Sequence, residues 1–192
     1  MLKMPPNNGA QGFTLIELMI GIVIMGIVLA LALPSYKAFI QNTRIRNTAE
    51  SILNGLQLAR LEAVRHNANV QFVLGVAPSV YLWSVGCVTA TATCPALIQR
   101  SAIGEGSSTS IIVTPTPATI VFSNFGRLCT PMTVPSCPVT PATQLDVTVD
   151  PAVLSAAESR SLRITIGTID AGGSVRMCDP DPTLPASDPR AC

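Results

Sequence analysis

Residues 13–33 read FTLIELMIGIVIMGIVLALAL, a run of 21 residues in which only Glu17 is charged. As a helix rising about 1.5 Å per residue the run is roughly 32 Å long, enough to cross a hydrocarbon core of about 30 Å. A helix apolar on every side is a poor start for a small soluble domain, because it offers no face to water. The run is therefore expected in a membrane, where three roles compete. Ala30-Leu31-Ala32 supplies the small-x-small site of a cleaved secretory signal, but Glu17 inside the run and Pro34 just past the site stand against that role. A plain anchor tolerates an acid near its end, at a cost of about 3 kcal/mol or less when the side chain snorkels. In the third role Glu17 is functional, as intramembrane carboxylates are by default, and it needs a cationic partner.

Working outward toward the N-terminus, residues 1–12 read MLKMPPNNGAQG, polar, with Pro5, Pro6, Gly9 and the single charge of Lys3. This stretch has no apolar period and is expected to form no element. At its junction with the run, Gly12-Phe13-Thr14-Leu15-Ile16-Glu17 resembles the cleavage motif of type IV prepilins: a short polar leader, Gly, Phe, then Glu five places after the Gly within an apolar run. The resemblance implies that a prepilin peptidase cuts between Gly12 and Phe13 on the cytoplasmic side and that Phe13 is then N-methylated. Glu17 becomes the fifth mature residue and Pro34 the twenty-second, where pilins commonly carry a helix-kinking proline. Cleavage ahead of the run leaves it attached as an anchor and later as a fibre core. It also exposes an α-amine that Glu17 can pair with, in its own chain or on a neighbouring subunit. Such a pair in low dielectric sets register more than it adds stability.

Toward the C-terminus the pattern turns amphipathic after Pro34. Tyr36, Ile40, Ile45, Ala49, Ile52, Leu53, Leu56, Ala59 and Ala63 recur mostly at three- and four-residue steps, and Lys37, Arg44, Arg46, Glu50, Gln57, Arg60 and Glu62 fill other faces. Arg46 and Glu50, and Glu62 and His66, stand four apart and can interact along a helix. A nearly continuous helix from about Thr14 to His66 is expected, roughly 80 Å long, with Pro34 and Gly55 as its weak points. Leu56-Gln57-Leu58-Ala59-Arg60-Leu61-Glu62-Ala63-Val64-Arg65 resembles the signature of the GspH/FimT branch of pilin-like proteins, which includes the type II secretion pseudopilin H and the FimT and FimU minor pilins. The resemblance implies an α+β type IV pilin fold, with the amphipathic half of a long N-terminal helix packed on a mostly antiparallel β domain. Leu56, Ala59 and Ala63 then face the sheet, and Arg60, Glu62 and Arg65 read as solvated charges.

From Asn69 the helical period ends. Short β-branched and aromatic runs follow at Val70–Leu74, Val80–Val85, Ser110–Val113, Thr119–Phe122, Leu145–Val149, Leu162–Ile166 and Ser174–Met177, separated by Gly, Pro, Ser and Thr. Phe72, Trp83, Phe122 and Phe125 are core candidates. Thr130–Thr143 reads as an exposed loop and residues 179–192 as an irregular tail. The six cysteines, Cys87, Cys94, Cys129, Cys137, Cys178 and Cys192, point to an oxidising compartment. They allow fifteen connectivities in principle. Sequence-adjacent pairing, Cys87 with Cys94, Cys129 with Cys137 and Cys178 with Cys192, closes three local loops and is the expected one.

Several function classes are excluded. The 192 residues carry 12% charged and 48% hydrophobic side chains, too apolar for a disordered chain. The mean hydropathy is +0.46. A net charge of +1 argues against a nucleic-acid binder held by net charge. A single histidine, His66, the lack of any C-x-x-C pair and the lack of G-x-S-x-G or P-loop motifs leave no catalytic residues, metal ligands or cofactor to assign. Some FimT-type proteins that the chain resembles bind DNA through a C-terminal Gly-Arg-x-Arg motif. Here Gly173-Ser174-Val175-Arg176 keeps only the second arginine. Arg176, with Arg127 and Arg190 if they lie near, is the candidate DNA contact, opposed by Asp179 and Asp181.

The expected organisation is a prepilin leader over 1–12, a transmembrane and assembly helix over 13–33, the amphipathic stem over 34–66 and a β-rich domain with disulfide-closed loops over 67–192. The expected partners are prepilin peptidase, other pilins or pseudopilins through the N-terminal helix, and inner-membrane lipid. The role is that of a minor pilin initiating or capping a type IV pilus. A type II secretion pseudopilin and a DNA-binding minor pilin are the alternatives. Lys37, Arg44 and Arg46 after the run outnumber Lys3 before it, which by the positive-inside count would put the C-terminal side in the cytoplasm. Long domains translocate largely regardless of charge, so the cysteines decide and the β domain is expected outside.

Overall fold

The computed structural model describes residues 12–75, 81–101, 110–114, 119–129, 144–167, 174–185 and 187–192. Most of the leader, the loop expected over Thr130–Thr143, Cys137 and Gly173 lie outside the described residues. The chain divides into two compact units, Met1–Lys37 and Ala38–Cys192.

One helix, α1, runs over Leu15–His66. It starts where Thr14 caps it: the Glu17 amide donates to Thr14 Oγ1 at 3.3 Å, and the Leu18 amide to the Thr14 carbonyl at 3.2 Å. It ends in a Schellman turn. Asn67 adopts φ of 48°, its amide donates to the Val64 carbonyl at 3.2 Å, and the Ala68 amide reaches back to Ala63 at 3.1 Å. Asparagine tolerates that left-handed conformation better than most residues, which is why the helical pattern stops where it does.

In the second unit α1 buries one face. Ile45, Ala49, Ile52, Leu56, Ala59 and Ala63 have no exposed surface. Tyr36, read as part of that apolar face, lies in the first unit and is 63% exposed. Two four-stranded antiparallel sheets complete the second unit. The first, in spatial order β3-β2-β1-β5, holds β1 (Val70–Leu74), β2 (Trp83–Cys87), β3 (Gln99–Arg100) and β5 (Thr119–Phe122). The second, in order β4-β6-β7-β8, holds β4 (Ile111–Thr114), β6 (Gln144–Val149), β7 (Leu162–Ile166) and β8 (Val175–Cys178). Helix residues and both sheets share one core, with Phe72, Phe122, Ile120, Leu145, Val147 and Ile164 fully buried.

Strand ends depart from the sequence reading where pairing decides them. β2 begins at Trp83 rather than Val80 and runs on to Cys87, because all five residues of β1 pair with it, from Val70 with Cys87 to Leu74 with Trp83. β4, β6 and β8 are displaced or extended by one residue for the same reason: Thr114 pairs with Asp146, Gln144 with Thr165, and Cys178 with Arg163. β3 has no sequence signal. Its two residues are polar and exposed, and it exists only as an edge paired with β2.

The aromatic candidates divide. Phe72 and Trp83 stack at 5.9 Å between ring centroids, and Phe122 is fully buried. Phe125 is 79% exposed and is not a core residue. It sits at the apex of a tight turn, where the Gly126 amide donates to the Ser123 carbonyl at 2.7 Å and Gly126 takes φ of 67°. A turn apex points its side chain away from the ladder beneath it.

Gly55, a weak point by helix propensity, is a packing device. A Cβ there would come within 2.8 Å of both the Phe72 and Trp83 rings. One turn earlier Ser51 Oγ accepts the Trp83 indole N–H at 3.0 Å. The helix thus presents a flat notch and a hydroxyl to one tryptophan, satisfying its polar atom while burying its ring.

Candidate processing and assembly segment

The apolar run is described in the first unit by itself. Thr14 and Glu17 occupy the N-cap and third positions of α1, the spacing of a capping box. That spacing is a sequence signal for the helix start which the apolar pattern alone does not supply. The N-terminal end of a helix carries partial positive charge, which favours a carboxylate in the first turn. Glu17 is in that turn and exposed. Phe13, two residues before the helix, is 85% exposed. Gly12 has open space on the side where a Cβ would stand, and so do Gly21 and Gly26. Pro34 lies inside α1, where it has no N–H to donate to the carbonyl four residues before it.

From Leu15 to Leu33 no large apolar side chain is covered: Leu15 is 78% exposed, Ile22 61%, Leu29 52% and Leu31 76%. Leaving more than a dozen large apolar side chains in water, at roughly 1.5–3 kcal/mol each, costs tens of kcal/mol. A bilayer or a bundle of like helices removes that cost, and nothing in the described chain does.

The other sequence candidates are dispersed. Arg176 lies on β8, paired with Thr165, and Arg127 in the turn after β5 of the other sheet. Both are exposed. Arg190 is engaged by Asp188, at 2.8 and 3.1 Å. That guanidinium holds the Asp188 carboxyl down at about 2. Cys87 is bonded to Cys94 and Cys178 to Cys192. Cys129 is also disulfide-bonded. The tail beyond Cys178 lies beside the sheet through the Asp179 amide and the Arg190 carbonyl at 2.6 Å and the Cys192 amide and the Asp179 carbonyl at 3.1 Å.

The signature stretch at the end of α1 corrects one expectation. Arg65 is exposed, but Glu62 is only 9% exposed. Its carboxylate meets Arg65 at 3.3 Å and His66 Nε2 at 3.2 Å. Glu62 follows Leu61 and precedes Ala63, and the turn of the helix carries it to the margin of the buried face. A solvated-face reading could not place it there without knowing how far the β domain reaches round the helix. Among the described residues no three His, Cys, Asp or Glu side chains converge as a metal site would require.

Comparison with known proteins divides the chain along the same lines. The family model described as "Prokaryotic N-terminal methylation motif" matches residues 7–33. The model described as "Type II transport protein GspH" matches residues 48–172. A "Fimbrial protein" of Moraxella nonliquefaciens is 46% identical over 50 residues, 26% of this chain and 32% of that protein. No solved structure matches the chain. With the apolar helix, the methylation motif and the two antiparallel sheets in place, the chain belongs to the GspH family of type IV prepilin-like proteins.

Proposed function

We propose that the chain is a minor pilin of a type IV pilus, a structural subunit that initiates or caps the fibre. The observation that supports this best is the uncovered apolar helix of residues 15–33 directly behind Gly12-Phe13 and carrying Glu17. In this reading prepilin peptidase hydrolyses the Gly12–Phe13 peptide bond, leaving a carboxylate on Gly12 and an α-amine on Phe13, which is then N-methylated. The helix over 13–33 remains in the inner membrane until it enters the helical core of the fibre. Glu17 pairs with the Phe13 amine of its own or a neighbouring subunit, so that a misregistered subunit leaves two charges unpaired in low dielectric. Pro34 supplies the bend at the end of that segment. The stem over 34–66 carries the β domain over 67–192, displayed in the periplasm and then at the cell surface, where its disulfides persist. The work is structural, and the partners are other pilins and the peptidase.

A second reading, a type II secretion pseudopilin, is favoured by the description of the matching family. The fimbrial relative favours the pilus. DNA capture has less support, since only Arg176 of the two arginines in the Gly-Arg-x-Arg pattern is present, Arg127 lies in a turn next to the other sheet, and Arg190 is engaged by Asp188.

Intact mass of the membrane-extracted protein, before and after reduction, tests the common part. A chain beginning at Phe13 with one added methyl, gaining two hydrogens per disulfide on reduction, is the expected result. A chain beginning just after Ala32 would mean an ordinary exported domain and would end both readings. Deletion then separates them: loss of piliation with protein export intact supports the minor pilin, and the reverse supports the secretion role.

A further inference from the structure

The second unit contains a groove of about 730 Å³, within the range of roughly 300–1,000 Å³ usual for small-molecule sites. One wall is the helix, with Phe39 and Arg46. The other comes from the second sheet and the disulfide-tied tail, with Arg160, Met177, Asp179 and Arg190. Asn42 locks the walls together: its Oδ1 accepts the Arg160 amide at 2.9 Å, and its Nδ2 donates to the Glu158 carbonyl at 3.1 Å.

The charges are unevenly committed. Arg190 gives both Nε and a terminal nitrogen to Asp188. Arg46 gives Nε to Glu50 at 2.9 Å, which leaves its two terminal nitrogens available. The Arg160 guanidinium has no ion pair among the described residues, and it is exposed. Asp179 is the one carboxylate in the lining. A lining that combines Phe39, Leu162 and Met177 with three guanidinium groups suits an amphiphile with a phosphate, which uses both kinds of surface, better than free phosphate or a nucleic acid, which use only the charges.

Location narrows the source. Phe39 follows Leu33, the end of the apolar run, by six residues, a covalent tether of at most about 22 Å. Tyr36, three residues past the run, is 63% exposed, and the amphipathic rings of tyrosines flanking a membrane span sit at headgroup level. Lys37, Arg44 and Arg46 are also the cations that run against the positive-inside count.

We propose that the groove between Phe39 and Arg46 on the helix and Arg160, Met177 and Arg190 on the β domain binds the phosphate headgroup of an anionic phospholipid in the leaflet from which the helix emerges, with Arg160 and Arg46 as the phosphate contacts. The proposal rests on membrane insertion of residues 13–33 and is independent of the choice between pilus and secretion roles.

The test uses the full chain in nanodiscs of phosphatidylcholine with a minor fraction of phosphatidylglycerol, with native mass spectrometry counting the lipids the protein retains. Phosphatidylglycerol should be enriched over its bulk fraction. Arg160→Gln and Arg46→Gln should each reduce the enrichment about fivefold, Arg160→Lys should keep most of it, and Arg176→Gln should leave it unchanged. Retention at the bulk ratio overturns the proposal, as does enrichment that survives the double glutamine variant while circular dichroism matches the unaltered chain. Displacement by inorganic phosphate at concentrations below the lipid's own would make this a free-anion site. Displacement by a short DNA duplex would make it a nucleic-acid surface. Either result overturns the lipid assignment. A chain that fails to enter neutral nanodiscs overturns the insertion reading itself, and that failure is visible before any lipid is counted.

Discussion

Residues 15–33 and residues 45–63 belong to one helix and solve opposite problems. In the first stretch every large apolar side chain is exposed and both glycines, Gly21 and Gly26, face open space. In the second, Ile45, Ala49, Ile52, Leu56, Ala59 and Ala63 are fully covered, and Gly55 is pressed against two aromatic rings. The same backbone hydrogen bonding is satisfied in both. What differs is where the apolar surface finds its partner. The second stretch is complete within the chain, since its face is the wall of a core built from both sheets. The first is apolar all round, and a helix of that kind is at rest only in lipid or among other helices.

Removing the first stretch breaks the comparison most sharply. A chain beginning at Ala38 should leave the membrane fraction and remain in solution as a folded domain, because every fully buried core residue among the described residues lies after that point. The full chain should stay with membranes through a high-salt wash. Fractionation followed by thermal melting of the short chain measures both. A short chain without a cooperative transition would mean that the stem depends on the apolar run for more than anchoring.

A smaller effect is expected at the tail. The Cys178–Cys192 bond spans a sequence separation of 14, and opening a loop of that size removes about 3 kcal/mol in the chain-entropy picture. Urea unfolding of Cys178→Ser in the Ala38–Cys192 chain should show that loss. Cys178→Ser/Cys192→Ser should cost no more than either single change, because one bond is lost in each case.

The smallest effect is the most discriminating. Gly55→Ala places a Cβ about 2.8 Å from the Phe72 and Trp83 rings and should cost about 1–3 kcal/mol as an overpacked core. The near-ultraviolet dichroism of Trp83 should change with it. Gly26→Ala meets nothing within 4 Å and should instead favour its helix by up to about 1 kcal/mol. One substitution on one helix, with opposite signs, would separate the stretch that packs internally from the stretch that does not. Equal effects at the two sites would mean that propensity, not packing, governs both.

Much of this was legible in the chain. The apolar run is self-evident because a membrane selects for length and composition, which are sequence properties. The helix end at His66 was readable because the 3.6-residue period is lost from Asn69, while Asn67 as the left-handed residue that ends it came only with the structure. The burial of Leu56, Ala59 and Ala63 follows from spacing alone. Phe125 and Phe122 differ little as residues, yet Phe125 is at the apex of a turn in water and Phe122 is fully buried at the end of β5, and only the turn that carries Phe125 makes the difference. Glu62 reads as a surface acid until the β domain is seen to cover its side of the helix.

Short-range pattern is enough to read the apolar helix, its start near Thr14, the motif of Gly12, Phe13 and Glu17, and the family resemblance. All of these rest on local patterns within a few turns of chain. The strand ends, the seat of Trp83 on Ser51 and Gly55, and the groove beside Arg160 are visible only in the folded chain. Each of these joins residues far apart in sequence: Asn42 meets Arg160 across 118 positions. Local pattern constrains a helix because its hydrogen bonds close within four residues. A ladder or a groove is closed by partners that only the folded chain brings together.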